Sequence, residues 1–297
     1  MQFKQKHHHQ GEGLIKFGFY RRWGTLADSV ARIVTQHQHS LQHLVLDSRT
    51  LVWSAVDDDD DIIKRRIRKT DAWIQDIKTP QLMHLECIDV DVSGPVLRQW
   101  LMKSTALTNI TLGGEQLTED ALDALGYLPQ LRHLHLIASY AIPPPDTAFL
   151  SYISLLDNLQ SLSLHCSSFV TDKTLPAIGS LSNLKALEIK QWNVSESGII
   201  RFVVALKQAS VVSQLKLQDL GSLNERTLSM LGNVVSLVDL TIIKCIVSAA
   251  GMRIFIEKKK QVIKSLGVYS SKQRSEDGVG CIRHGTVHLG DRFEWVY

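Results

Sequence analysis

Cysteine is scarce in this 297-residue chain, and its four copies, Cys87, Cys166, Cys245 and Cys281, include no close pair. That spacing excludes a Cys-x-x-Cys metal site and argues against a disulfide framework, so the thiols read as a reduced, intracellular set. An excess of one charge is missing too: 33 basic side chains against 30 acidic ones leave a formal +3. The balance argues against capture of nucleic acid or an anionic membrane by overall charge. Nowhere do about 18 uncharged apolar residues follow one another, which speaks against a membrane-spanning helix. The apolar stretch 14–20 is short, contains Lys16 and Gly18, and runs into Arg21 and Arg22, so it does not read as a signal-peptide core. His7, His8 and His9 sit in a polar start that reads as a tail, not a metal site. What the chain does have is 44% apolar residues, enough for a large core.

Those apolar residues recur in a fixed order. The pattern apolar-x-x-apolar-x-apolar appears at Leu41/Leu44/Leu46, Leu82/Leu85/Cys87, Leu107/Ile110/Leu112, Leu131/Leu134/Leu136, Leu159/Leu162/Leu164, Leu184/Leu187/Ile189, Val212/Leu215/Leu217 and Leu237/Leu240/Ile242. After a first interval of 41 residues, the starts are 25, 24, 28, 25, 28 and 25 residues apart. A near-constant period of this size marks stacked supersecondary units. Within most patterns the last two apolar residues alternate with polar ones, as Leu162 and Leu164 do with Ser161 and Ser163, which predicts a short strand. A second apolar group with helical spacing follows, for example Leu122/Leu125/Leu128 or Leu228/Leu231/Val234. Thr118, Thr171-Asp172, Ser195-Glu196 and Asn224-Glu225 stand where each helix would begin, suited to capping its free N–H groups. One unit cannot bury its own apolar faces, whereas neighbours in register form a continuous core beneath a parallel sheet.

On these residues the chain resembles leucine-rich-repeat proteins of the ribonuclease-inhibitor-like, cysteine-containing subtype, and the repeat region of F-box-associated proteins. The unit from Leu159 to Ile178 carries the signature best, with Val170-Thr171-Asp172 followed by Leu175; Leu117–Leu122 and Val194–Ile199 carry weaker versions. The resemblance implies an α/β leucine-rich-repeat solenoid, a curved horseshoe with parallel strands on its concave face and helices on its convex face. It also implies partner binding by a substrate-recognition subunit of a ubiquitin ligase, although residues 1–36 lack the leucine-proline opening of an F-box.

The expected organisation is an N-terminal polar tail or partial cap at 1–25, a repeat domain at 26–269 with an insertion at about 51–78, and a C-terminal loop at 270–297 that ends in a capping hairpin. The insertion holds Asp57 to Asp61 and the basic run 64–69; neither matches a calcium loop, and the two read as solvated or mutually paired charge. Pro143 to Pro145 stiffen a connector after the Leu131 unit.

If the leucines face the core, the intervening strand residues line the concave face. They are His84 and Glu86; Asn109 and Thr111; His133 and His135; Ser161, Ser163 and His165; Glu188 and Lys190; Gln214, Lys216 and Gln218; Asp239 and Thr241. This mixed, polar surface suits a protein partner or an extended peptide better than a phosphate backbone. Residues two apart on a strand fan over nearly 7 Å, so His133, His135 and His165 are expected as incidental surface residues or as a contact patch, and not as metal ligands. No strained nucleophile turn accompanies Ser161, Ser163 and His165, and Gly113-Gly114-Glu115 lacks a phosphate-binding lysine, so no catalytic residue, metal or cofactor is expected. The expectation is therefore a monomeric, non-enzymatic interaction scaffold in the cytoplasm or nucleus. The alternatives are a stand-alone adaptor unconnected with ubiquitin ligation and a nucleic-acid-associated module using residues 64–69.

Overall fold

In the computed structural model the described residues are 14–20, 28–48, 70–90, 92–114, 117–137, 146–165, 170–190, 194–209, 211–219, 222–269 and 285–288. The expectations for the histidines at 7–9, the charge runs at 57–61 and 64–69, the prolines at 143–145, Cys166, Cys281 and the segment 292–297 lie outside them. The chain divides into two units, Met1–Pro144 and Pro145–Tyr297.

In the first unit, strands β1 (Lys16–Tyr20), β2 (His43–Asp47), β3 (His84–Ile88), β4 (Asn109–Gly113) and β5 (His133–Ile137) pair as parallel neighbours in sequence order. The register stacks like on like. Phe17, Leu44, Leu85, Ile110 and Leu134 form one rung, and Phe19, Leu46, Cys87, Leu112 and Leu136 the next, all buried. Helices Asp28–His37, Gly94–Lys103 and Glu119–Leu125 add Val30 and Val34, Leu97 and Trp100, and Ala121 and Leu122 to the same core.

Strands of the second unit are β6 (Ser161–His165), β7 (Ala186–Lys190), β8 (Gln214–Gln218), β9 (Ser222–Leu223), β10 (Asp239–Ile243), β11 (Ile246–Val247), β12 (Ser265–Tyr269) and β13 (Gly285–His288). Strands β6, β7, β8, β10 and β12 are parallel neighbours, while β9 and β11 form a separate short pair. The rungs Leu162, Leu187, Leu215, Leu240, Leu266 and Leu164, Ile189, Leu217, Ile242, Val268 repeat the arrangement of the first unit. Strand β13 runs antiparallel to β12 and pairs Thr286 with Gly267. Helices Asp146–Ser154, Thr174–Gly179, Glu196–Ala209, Glu225–Leu231 and Ala249–Lys259 alternate with these strands. Each unit thus has the α/β leucine-rich-repeat arrangement, parallel strands alternating with helices, that the sequence period predicts.

Helix starts follow the sequence closely. Thr118, Asn224 and Ser248 each accept a hydrogen bond from a backbone amide three residues on. Asp172 departs from its expected role at its own helix. Its carboxylate instead accepts from the backbone N–H of Ser195 at 2.7 Å and from the Ser195 hydroxyl, joining one repeat to the helix start of the next.

A second regularity lies at the strand ends. Asp89, Gly114, Asp219 and Lys244 directly follow β3, β4, β8 and β10, and all four have positive φ, at 52°, 88°, 53° and 52°. Each still donates its N–H to the last carbonyl of the next strand, those of Gly113, Ile137, Ile243 and Tyr269. The left-handed residue thus extends the ladder by one bond while turning the chain toward the helix side. Glycine does this without a Cβ penalty, aspartate tolerates it, and lysine is the residue least suited to it. Lys244→Gly is therefore expected to raise stability by about 0.5–1 kcal/mol in urea unfolding, with Lys244→Ala giving no gain.

Candidate functional site on the open sheet face

Alternation along each strand sends every second side chain away from the buried rungs. All the residues expected on this face are at least partly exposed: His84, Glu86, Asn109, Thr111, His133 and His135 in the first unit; Ser161, Ser163, His165, Glu188, Lys190, Gln214, Lys216, Gln218, Asp239 and Thr241 in the second. The registers arrange them in rows perpendicular to the strands. Two groups within those rows have an internal structure that the sequence did not disclose.

The first group lies in the first unit. Its leading row is Lys16, His43, His84, Asn109 and His133, one residue from each of β1 to β5. The rings of His43 and His84 stack with centroids 5.5 Å apart and planes inclined by 28°. Partial burial, followed by the charge of Lys16, holds both imidazoles below the ordinary histidine value, and His84 further depresses His43. Sequence reasoning missed His43 and Lys16. The signal was available for His43, which precedes Leu44 as His84 precedes Leu85.

The second group is a recess of about 400 Å³ in the second unit, lined by Ser161, Ser163, Glu188, Gln214, Lys216 and Asp239 among others. Glu188 is its electrostatic centre. One carboxylate oxygen, Oε1, lies 2.8 Å from the Lys216 ammonium and 3.1 Å from His165 Nε2. The hydrogen bond with His165, together with that from Lys216 and its charge, holds the Glu188 carboxyl at about 2, against the opposing effect of partial burial. Ser163 Oγ is 3.2 Å from the same His165 Nε2. A serine relay needs the hydroxyl and the carboxylate on opposite ring nitrogens, so this serine, histidine and glutamate do not form one. The trio is a polar contact network on a sheet surface.

His165 was expected on the same face as His133 and His135, either incidentally or in a contact patch with them. It lies in the second unit and is engaged by Ser163 and Glu188. Among the described residues no cluster of histidine, cysteine or carboxylate could hold a metal ion. Cys87 is fully enclosed, and burial with the nearby Asp89 pushes its thiol up to about 12, far from a reactive thiolate. Cys245 is buried beside the carbonyls of Ile243 and Leu217. Packing accounts for both.

No protein-family model matches the chain. No curated protein matches it. Solved structures do match, among them an internalin (inlF) from Listeria monocytogenes, with 15% sequence identity and a TM-score of 0.47, over 82% of this chain and 57% of that one. The chain thus spans somewhat more than half the length of that structure. The repeat-solenoid assignment stands on strand register and period, independently of this similarity. No described helix is long and apolar enough to cross a membrane.

Two titrations test the electrostatics. Lys16→Gln removes a charge felt at the stacked pair, so the ring resonances of His43 and His84 should titrate at higher pH in the variant than in the wild type. Because the folded pair takes up protons later than the unfolded chain, their contribution to stability is complete above about pH 6.5 and is lost as pH falls below it. For Glu188 the depressed value stabilises the fold above its unfolded pKa near 4.5, and that contribution fades as pH falls toward 2. Glu188→Gln should therefore unfold about 1–2 kcal/mol more easily than wild type at neutral pH, with the gap closing toward pH 2 in acid-dependent urea melts.

Proposed function

We propose that the protein is an interaction module that binds a protein partner or extended peptide across the open face of its sheets. The observation that carries this reading is the register itself. It aligns half-exposed amides, hydroxyls, imidazoles and charges in rows on rigid strands, opposite a closed apolar core. Such a surface offers directional hydrogen bonding with little ordering cost, which favours selective protein recognition. The balanced charge of the chain favours a protein over a nucleic acid.

The narrower reading, a substrate-recognition subunit of a ubiquitin ligase in the cytoplasm or nucleus, is supported by the resemblance carried by Val170, Thr171, Asp172 and Leu175. Under it the repeat face selects the substrate and ligase adaptor and cullin subunits accompany it. A stand-alone adaptor would bring down its partner without them.

Both readings meet one experiment. The full-length protein is used to capture partners from its own cell extract beside two variants, one altered on the face (His133→Ala, His135→Ala, Lys190→Ala) and one on exposed helix positions (Arg201→Ala, Lys207→Ala, Arg253→Ala). The face variant should lose at least about tenfold of a partner that the helix variant retains, a change of about 1.4 kcal/mol. Identical partner profiles for wild type and face variant would overturn the assignment of the surface. Cullin and adaptor peptides in the wild-type capture would support the ligase reading, and their absence beside a retained partner would leave the adaptor.

A further inference from the structure

The leading row of the first unit has a composition that the rest of the face does not share. From β1 to β5 it presents Lys16, His43, His84, Asn109 and His133, an ammonium, three imidazoles and one amide, with no carboxylate among them. The equivalent row of the second unit is Ser161, Ala186, Gln214, Asp239 and Ser265, which carries an acid and no cation. With parallel strands about 4.8 Å apart, the five positions of the first row span roughly 20 Å, the length of some six residues of extended chain.

We propose that the row of Lys16, His43, His84, Asn109 and His133 docks an acidic segment of the protein partner, and that mild acid tightens the contact. This rests on the reading of the open face as partner-binding and names the chemistry of what binds there. Charge complementarity is the first support: the row holds one fixed cation and three groups able to become cations, and Asn109 adds amide donors that suit a carboxylate. Geometry is the second. The 5.5 Å stack brings two imidazoles together beside Lys16, so protonating either one builds adjacent positive charge that an incoming carboxylate relieves.

Lys16 faces the pair from β1. Glu86 lies two residues beyond His84 on β3, in the next row, and Asp47 lies at the far end of β2, buried. Among the described residues it is Lys16 whose charge is felt at both rings, and it acts to keep them neutral. An acidic ligand opposes that influence. By linkage, if anion binding promotes proton uptake by the imidazoles, protons promote anion binding to the same degree. Affinity should then rise as pH falls through the histidine range.

The probe is a fluorescein-labelled peptide of ten aspartates, which stays ionised at mildly acidic pH, titrated with the full-length protein and followed by anisotropy at constant ionic strength of about 50 mM. Binding should be at least about tenfold tighter near pH 5.5 than near pH 7.5. Lys16→Gln should weaken it at both values, and the double variant His43→Gln, His84→Gln should flatten the pH response. Replacing His7, His8 and His9 by glutamine is the control and should leave that response intact. Since Lys16 is exposed, its variant also reports on the surface if the double variant folds poorly. Binding independent of pH, a response retained by the double variant, or one lost with His7 to His9 would overturn the proposal. Equal affinity for a single-stranded ten-nucleotide DNA would replace the acidic protein segment by a nucleic acid and overturn it as well. Failure here with the face variant still losing its cellular partner removes only the acidic occupant, whereas failure of both removes partner binding by this face.

Discussion

The structure depends on one constraint, that a single strand and helix cannot hide their own apolar side chains. Leu162 and Leu164 are out of water because Leu187 and Ile189 lie beside them in register, and those are out of water because Leu215 and Leu217 follow. Each fully buried leucine or isoleucine contributes about 1.5–3 kcal/mol relative to exposure, against a backbone ordering cost of about 1–2 kcal/mol per residue. An isolated repeat buries too little to form, while stacked repeats share every interface. Register is therefore not a detail of the sheet. A slip of one residue would send the leucines to the open face and serines and lysines into the core.

The same constraint shapes the helix side. A short repeat must turn back from strand to helix within a few residues, and it does so through left-handed positions that keep their place in the ladder. Asp89, Gly114 and Asp219 suit that conformation; Lys244 tolerates it because its amide still reaches the Tyr269 carbonyl. Polar atoms between repeats are satisfied by the neighbour as well. Asp172 receives the Ser195 amide, and the buried ammonium of Lys259 donates to the carbonyls of Val234 and Leu237 in the turn that closes the preceding repeat. Burial lowers the pKa of that lysine, and its carbonyl partners offset part of the cost of holding it there.

How much of this could be read from the sequence follows from which forces are local. The leucine period located strands β2 to β8 and β10, because alternation and burial are properties of adjacent residues. Strand β1 escaped notice: Leu14, Phe17 and Phe19 have the spacing of the leucine pattern, but with aromatic residues in place of aliphatic ones and Lys16 and Gly18 between them the segment read only as a failed signal peptide. Capping by Thr118 and Asn224 was legible for the same local reason, whereas the reach of Asp172 into the next repeat was not, since it depends on stacking. On the open face the participating residues could be named but their partners could not. That Glu188 joins Lys216 and His165 through one oxygen is fixed by side-chain direction across three strands, which spacing along the chain does not encode.

The two units show what that separation of roles permits. Their rungs are built from the same few aliphatic residues, yet one face gathers imidazoles beside Lys16 and the other locks a carboxylate between a lysine and a histidine. The outward residues take no part in the rungs, so changing them leaves the apolar burial that holds the repeats together intact. A repeat face can therefore acquire a charge pattern without re-engineering its core, and the electrostatic differences between the units are set by the outward residues and not by the rungs. Where an outward residue does carry folding energy, as Glu188 does through its depressed ionisation, it joins neighbouring rows into a preorganised surface. Under the proposed reading, preorganisation of that kind lowers the entropy cost of docking a partner, which would tie the stability of the face to its capacity to bind.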